Sequence, residues 1–175
     1  MNGGNKGLTL IELLVVTGLF GVLMTLVSGI FISSLNTERN ILTTKRVLGE
    51  VSYASEYMTR ALRMAEKDII GSCIGLGNTY EITARDGLEF INALKNYQCQ
   101  EFFLSNGQIK TEINGSIIDL TSDKITVSHL DFDISGASES DNLQPFVTIY
   151  IQAHTEKSSI IKTQTSVSQR NPDIR

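Results

Sequence analysis

The chain has 175 residues, a formal net charge of -4, two cysteines and two histidines. An acidic balance with no basic face argues against direct nucleic-acid binding, and no CxxC or Cys/His cluster points to zinc. Setting aside a membrane segment leaves about 140 residues, enough for one ordinary domain.

The start of the chain is organised around one charge. Glu12 is the only charged residue between Lys6 and Glu38, and it lies in an apolar run that continues to Leu35. Leu13 to Thr37 contains neither charge nor proline, and about 20 apolar residues suffice to cross a bilayer as one helix. A charge near the centre of such a helix costs about 3 kcal/mol, and ionisable residues there mark function and call for a partner. No Lys, Arg or His stands on the same helix within reach of Glu12, so its partner is expected outside this chain. The bland alternative is a carboxylate that snorkels to the headgroups from one turn inside the helix. Gly18, Gly21 and Gly29 weaken a helix in water but let neighbouring helices approach closely in lipid. A plain signal anchor also fits the apolar run. A removable secretory signal fits less well, because its apolar core is usually about 7–15 residues followed by a small-residue cleavage site.

The order Lys6-Gly7-Leu8-Thr9-Leu10-Ile11-Glu12-Leu13-Leu14-Val15-Val16 resembles the prepilin cleavage and methylation motif of type IV pilins and of the pseudopilins of type II secretion. The resemblance implies that residues 1–7 are a cytoplasmic leader and residues 8–37 the transmembrane and assembly helix. A prepilin peptidase of the membrane would cut between Gly7 and Leu8 and N-methylate Leu8, where the family more often has Phe. The chain would start in the bacterial cytoplasmic membrane as a single-pass protein with its head outside the cytoplasm, then enter a pilus or pseudopilus filament. Its implied partners are other subunits, the peptidase, and the assembly platform and motor proteins. Glu12 would pair with the terminal amine of a neighbouring subunit. Physical logic supports that pairing: an ion pair gains strength in low dielectric, and a lone buried charge is penalised, so one axial register is favoured. Gly29 stands where many adhesive pilins carry a kinking proline, which leans toward a pseudopilin.

Residues 38–70 read as the amphipathic half of the same helix. Ile41, Leu48, Val51, Ala54, Met58, Ala61 or Leu62, Ala65 and Ile69 recur at three- and four-residue steps, the period of a helix laid on a core. Charges of both signs, from Arg39 through Glu50 to Glu66, fill the other face. Gly71 is the expected stop.

Residues 71–175 change to a period of two and are expected to form an extracytoplasmic β-rich head. Candidate strands are Leu88–Leu94, Gln100–Leu104, Gln108–Ile113, Ser116–Leu120, Lys124–Ile134, Phe146–Ala153 and Ser159–Val167. Asn106-Gly107 between two of them is a strong hairpin signal. Ile125 and Val127 share one parity while Leu130, Phe132 and Ile134 share the other, so a β-bulge near Ser128-His129 is expected to restore one apolar face. The fold class is α+β: a long amino-terminal helix packed on a mostly antiparallel sheet, as the pilin resemblance also implies. The end of the chain resembles, diffusely, the J-type minor pseudopilins.

Cys73 and Cys99 are expected to form one disulfide, with two buried thiols as the alternative. Asp131, Asp133, Ser135 and Glu139 follow part of a calcium-loop spacing, but the twelfth place holds Asn142 in place of the bidentate glutamate, so calcium is a weak candidate and no other cofactor is expected. His129 and His154 stand in no catalytic order, and the chain is not expected to be an enzyme. The leading reading is a structural filament subunit, a minor pseudopilin before a major pilin, with a DNA-uptake pseudopilin still open. The alternative is a single-span membrane-anchored binding domain that forms no filament.

Overall fold

The computed structural model describes residues 7, 9–136, 144–156 and 160–170. The chain divides into two compact units, Met1–Leu42 and Thr43–Arg175, and a single helix, α1 (Leu10–Arg63), runs through both. Among the described residues nine strands follow the helix: β1 (Ala65–Glu66), β2 (Glu81–Ile82), β3 (Leu88–Asn92), β4 (Gln98–Ser105), β5 (Gln108–Ile113), β6 (Ser116–Asp119), β7 (Thr126–Ser135), β8 (Phe146–His154) and β9 (Ile161–Ser168). The architecture is the expected α+β.

In the second unit the helix buries Val47, Val51, Ala54, Met58, Ala61 and Leu62, one face at three- and four-residue steps. These residues join one core with Leu88, Phe90, Phe102 and Ile109 from the first sheet and Val147, Ile149, Ile151 and Val167 from the second. Phe102 is the aromatic centre: Phe90 lies 5.6 Å from it, and Tyr57 meets it edge-on at 6.1 Å.

The buried stripe begins at Val47, not at the expected Ile41, and takes Val47 in place of Leu48. Val47 is fully buried and Leu48 is 45 % exposed, because Val47 stands one turn before Val51 and Leu48 is rotated off that row. Ile41 and Ile69 are likewise exposed rather than buried. Glu50, expected on the charged face, accepts from the Ser122 N–H and hydroxyl, both at 2.7 Å, and so ties the helix to the segment between β6 and β7.

The helix also ends at Arg63, not at Ile70. Ala65 and Glu66 turn to pair with Asn92 and Ile91 of β3, and the Arg63 carbonyl is capped by the Arg170 N–H at 2.9 Å. Gly71 has φ of 72°, but it shapes the following loop rather than stopping the helix.

The first sheet runs β1-β3-β4-β5-β6 with β2 also on β3; the second runs β7-β8-β9, and all pairs are antiparallel. Asn106 and Gly107 have φ of 53° and 72° and join β4 to β5 with Ser105 opposite Gln108, the two-residue hairpin expected of Asn-Gly. The bulge is present: the β7–β8 register shifts between Val127 and His129, and Val127, Leu130 and Phe132 are all buried. The expected strand Leu88–Leu94 is cut short at Asn92, whose side chain accepts from the Leu94 N–H at 2.9 Å and opens a 3-10 turn, Ala93–Lys95.

Candidate functional site

The amino-terminal unit offers a helix surface that no described residue covers. The apolar residues from Leu10 to Phe31 are each about half or more exposed, and none of the helix residues before Val47 is buried. The length and composition suit a membrane span. Hydroxyls along the helix are satisfied by its own carbonyls: Thr17 to Leu13, Thr25 to Val22, Ser28 to Met24 and Thr37 to Ser33, at 2.7–3.0 Å. Water is then not needed to satisfy them. A β-carbon added at Gly18, Gly21 or Gly29 would meet nothing, so no contact within this chain requires glycine there.

Helix α1 starts with a cap. The Glu12 N–H reaches the Thr9 side-chain oxygen at 3.3 Å and the Thr9 carbonyl at 3.1 Å. Thr9 and Glu12 therefore occupy the first and last places of a Thr-x-x-Glu capping sequence, and the Glu12 carboxylate lies in the first turn, where the helix dipole favours a negative charge. Gly7 is exposed with open space around it. Leu8 lies outside the described residues, as do residues 1–6 of the expected leader.

In the head, Cys73 and Cys99 are joined, with Cα atoms 5.6 Å apart. Cys99 stands opposite Ile91 in the β3–β4 ladder, so the bridge pins the segment after β1 against the sheet. The same segment is held by Asp68, 1 % exposed, whose carboxylate accepts from the N–H groups of Ile70, Gly71, Cys73 and Ile74 at 2.6–3.1 Å. Burial alone would raise this carboxyl, but the backbone donors outweigh it and hold Asp68 well below the usual carboxylate range.

The outer face of the first sheet carries a row that sequence reading missed. Glu81 stands opposite Glu89, Glu89 opposite Glu101, Glu101 opposite Glu112, and Glu112 opposite Ile117. Arg85 pairs with Glu101 and with Glu112, the latter at 2.9 Å, while stacking over Phe103 at 4.3 Å. Thr83 donates to Glu101 at 2.6 Å. Gly87 is required here, since a β-carbon would come within 2.6 Å of the Glu101 carboxylate and 2.8 Å of the Phe102 carbonyl. Burial and the charges of Glu101 and Glu81 raise the Glu89 carboxyl.

Asp131 and Asp133 lie exposed along β7, opposite Tyr150 and Thr148, with Ser135 at the strand end. Glu139 lies outside the described residues. Glu89 lies close to Cys73 and Cys99, but both sulfurs are committed to the disulfide. His129 is exposed on β7, and His154 ends β8.

Residues 2–28 match the family model for the prokaryotic N-terminal methylation motif. No curated protein and no solved structure matches the chain. The motif and the exposed apolar helix together fit a membrane-anchored chain built to meet others through that helix.

Proposed function

We propose that this chain, a type IV pilin-like or pseudopilin subunit by its methylation motif, is inserted as a precursor, cut after Gly7, N-methylated at Leu8 and packed helix to helix into a filament. The observation that carries the proposal is the methylation motif running into an apolar helix whose surface meets no partner among the described residues. Outside a membrane that surface must be covered by other chains, and small residues at four-residue steps, Thr17, Gly21, Thr25 and Gly29, suit close helix approach.

Glu12 supplies register. Its carboxylate fits the first turn of its own helix, and pairing it with a neighbour's new terminal amine relieves two charges in a low-dielectric filament. Other subunits, the membrane peptidase, platform and motor are the partners of this reading. Within it we favour a minor pseudopilin, and the site of action is the cytoplasmic membrane with the head outside.

Mass spectrometry of the mature amino terminus tests the proposal. A methylated Leu8 is expected. A chain still beginning at Met1, in cells that possess the peptidase, would leave a membrane-anchored binding domain as the better reading.

A further inference from the structure

Among the described residues, no strand pairs with the outer edge of β6 or of β9. In the first sheet the last strand is β6, and all four of its residues are exposed. Ile117 is 54 % and Ile118 53 % exposed, on opposite faces. Short length and edge charges, lysine above all, discourage open edges from pairing with themselves; the four-residue β6 carries Asp119 and β9 carries Lys162, so each edge repels its own copy and the two complement one another.

The ladder shows which backbone groups are free. Leu120 donates its N–H to the Ile109 carbonyl at 2.8 Å. Hydrogen-bonded and non-bonded pairs alternate along an antiparallel ladder, so Leu120, Ile118 and Ser116 bond inward to β5. The N–H and C=O of Ile117 and Asp119 then point outward from the sheet.

The last strand of the second sheet is β9. Gln169 donates to the Pro145 carbonyl at 3.2 Å, in register with Val147 opposite Val167. The odd-numbered residues therefore bond inward to β8, and Lys162, Gln164, Ser166 and Ser168 present their backbone groups outward.

We infer that β6 of one copy pairs antiparallel with β9 of a second copy, with Ile117 opposite Gln164 and Asp119 opposite Lys162. That register joins two outward-facing residues of each strand through four backbone hydrogen bonds. It sets Ile118 against Thr163, a β-branched cross-strand pair of a kind that stabilises sheets. It also brings the Lys162 ammonium to the Asp119 carboxylate, which in its own chain already faces Lys110 at 2.6 Å. Pairing β6 with β6 would lose this complementarity and set two Asp119 side chains near one another. Two different edges of the same chain make a head-to-tail contact, which propagates along a polymer instead of closing as a dimer. The inference rests on the filament reading and adds a head-to-head register to the helix packing.

The test uses the full chain in cells, carrying Ile117→Cys together with Gln164→Cys. Opposed residues of an antiparallel pair lie within the Cα separation that a disulfide spans. After oxidation, sheared filaments run without reductant are expected to show dimers, trimers and higher species. Either single variant is expected to stay monomeric, and the two co-expressed should stop at dimers. Asp119→Cys with Lys162→Cys opposes the same two strands and should cross-link likewise; adding Ile117→Pro there removes an outward N–H at an edge position, where proline is tolerated, and should abolish the ladder while the Cys73–Cys99 bridge still forms. Monomer alone in filaments that contain the double variant overturns the inference and leaves the filament reading standing. Dimers from Ile117→Cys alone overturn it in favour of a symmetric β6 contact. Monomer with an uncut amino terminus overturns both readings.

Discussion

The Thr9 side-chain oxygen receives the Glu12 N–H at 3.3 Å, so the one charge inside the apolar segment is also the third residue of its own helix. That bond uses the Glu12 backbone N–H, which any residue would supply, so the cap and the Glu12 carboxylate separate by mutation. Thr9→Ala removes the cap and should cost about 1 kcal/mol at the helix start, with filament incorporation close to normal. Glu12→Ala should permit cleavage after Gly7 yet sharply reduce the chain in sheared filaments. Equal losses in both variants would trace the defect to a weakened helix start and not to a carboxylate–amine pair.

Much of the head was legible because turns set register. Asn106-Gly107 places Glu101 opposite Glu112 by counting outward from a two-residue hairpin, and the parity change between Val127 and Leu130 located the bulge. Glu89 could not be placed in the same row from sequence. Its register against Glu101 depends on a turn through Ala93–Lys95, Asn96 and Tyr97, the last two with φ of 54° and 57°, and neither residue type announces that geometry. The helix end was misplaced for a related reason. Ala65 continues the apolar period, but the strand pairing with Asn92 and the four N–H groups gathered by Asp68 are tertiary contacts that periodicity does not carry.

The Cys73–Cys99 bridge closes a separation of 26 residues. The chain-entropy view assigns such a loop about 3.5 kcal/mol. Cys73→Ser with Cys99→Ser should therefore lower the denaturant midpoint of the head, and the unsubstituted chain under reductant should match it. An unchanged midpoint would show that Asp68 and the β1–β3 pairing hold the loop without the bridge.

Glu89 faces Glu81 and Glu101 across its two strand pairs, with Arg85 engaged by Glu101 and Glu112. Its carboxyl is raised by burial and by these like charges, so the folded head binds its proton more tightly than the unfolded chain does. That contribution is fully present below the unfolded carboxylate pKa and is lost as pH rises through the folded value. Glu89→Gln should stabilise the head at neutral pH by a few tenths to about 1 kcal/mol, the range for opposed like charges on a sheet, and flatten the pH profile just above the ordinary carboxylate range. Thermal unfolding of the detergent-solubilised chain across pH 4 to 8 measures both, and a destabilised Glu89→Gln would refute the repulsion.

Asp68 has the opposite sign. Its folded carboxyl is held low by the backbone N–H groups of the loop despite burial, so its stabilisation is in place above the unfolded carboxylate pKa and is lost progressively as pH falls from there through the depressed value. Asp68→Asn keeps the shape but offers one acceptor oxygen to a loop that uses both: Oδ1 takes the N–H groups of Ile70 and Gly71, and Oδ2 those of Cys73 and Ile74. Leaving a buried donor unpaired costs about 1–3 kcal/mol, and Asp68→Asn strands two of the four, so it should destabilise the head by an amount comparable with loss of the disulfide. Hydrogen exchange should show the four amides of the loop opening first while the β4–β5 amides stay protected. Unchanged exchange at Cys73 and Ile74 in that variant would mean that the bridge, and not the carboxylate, holds this segment to the sheet.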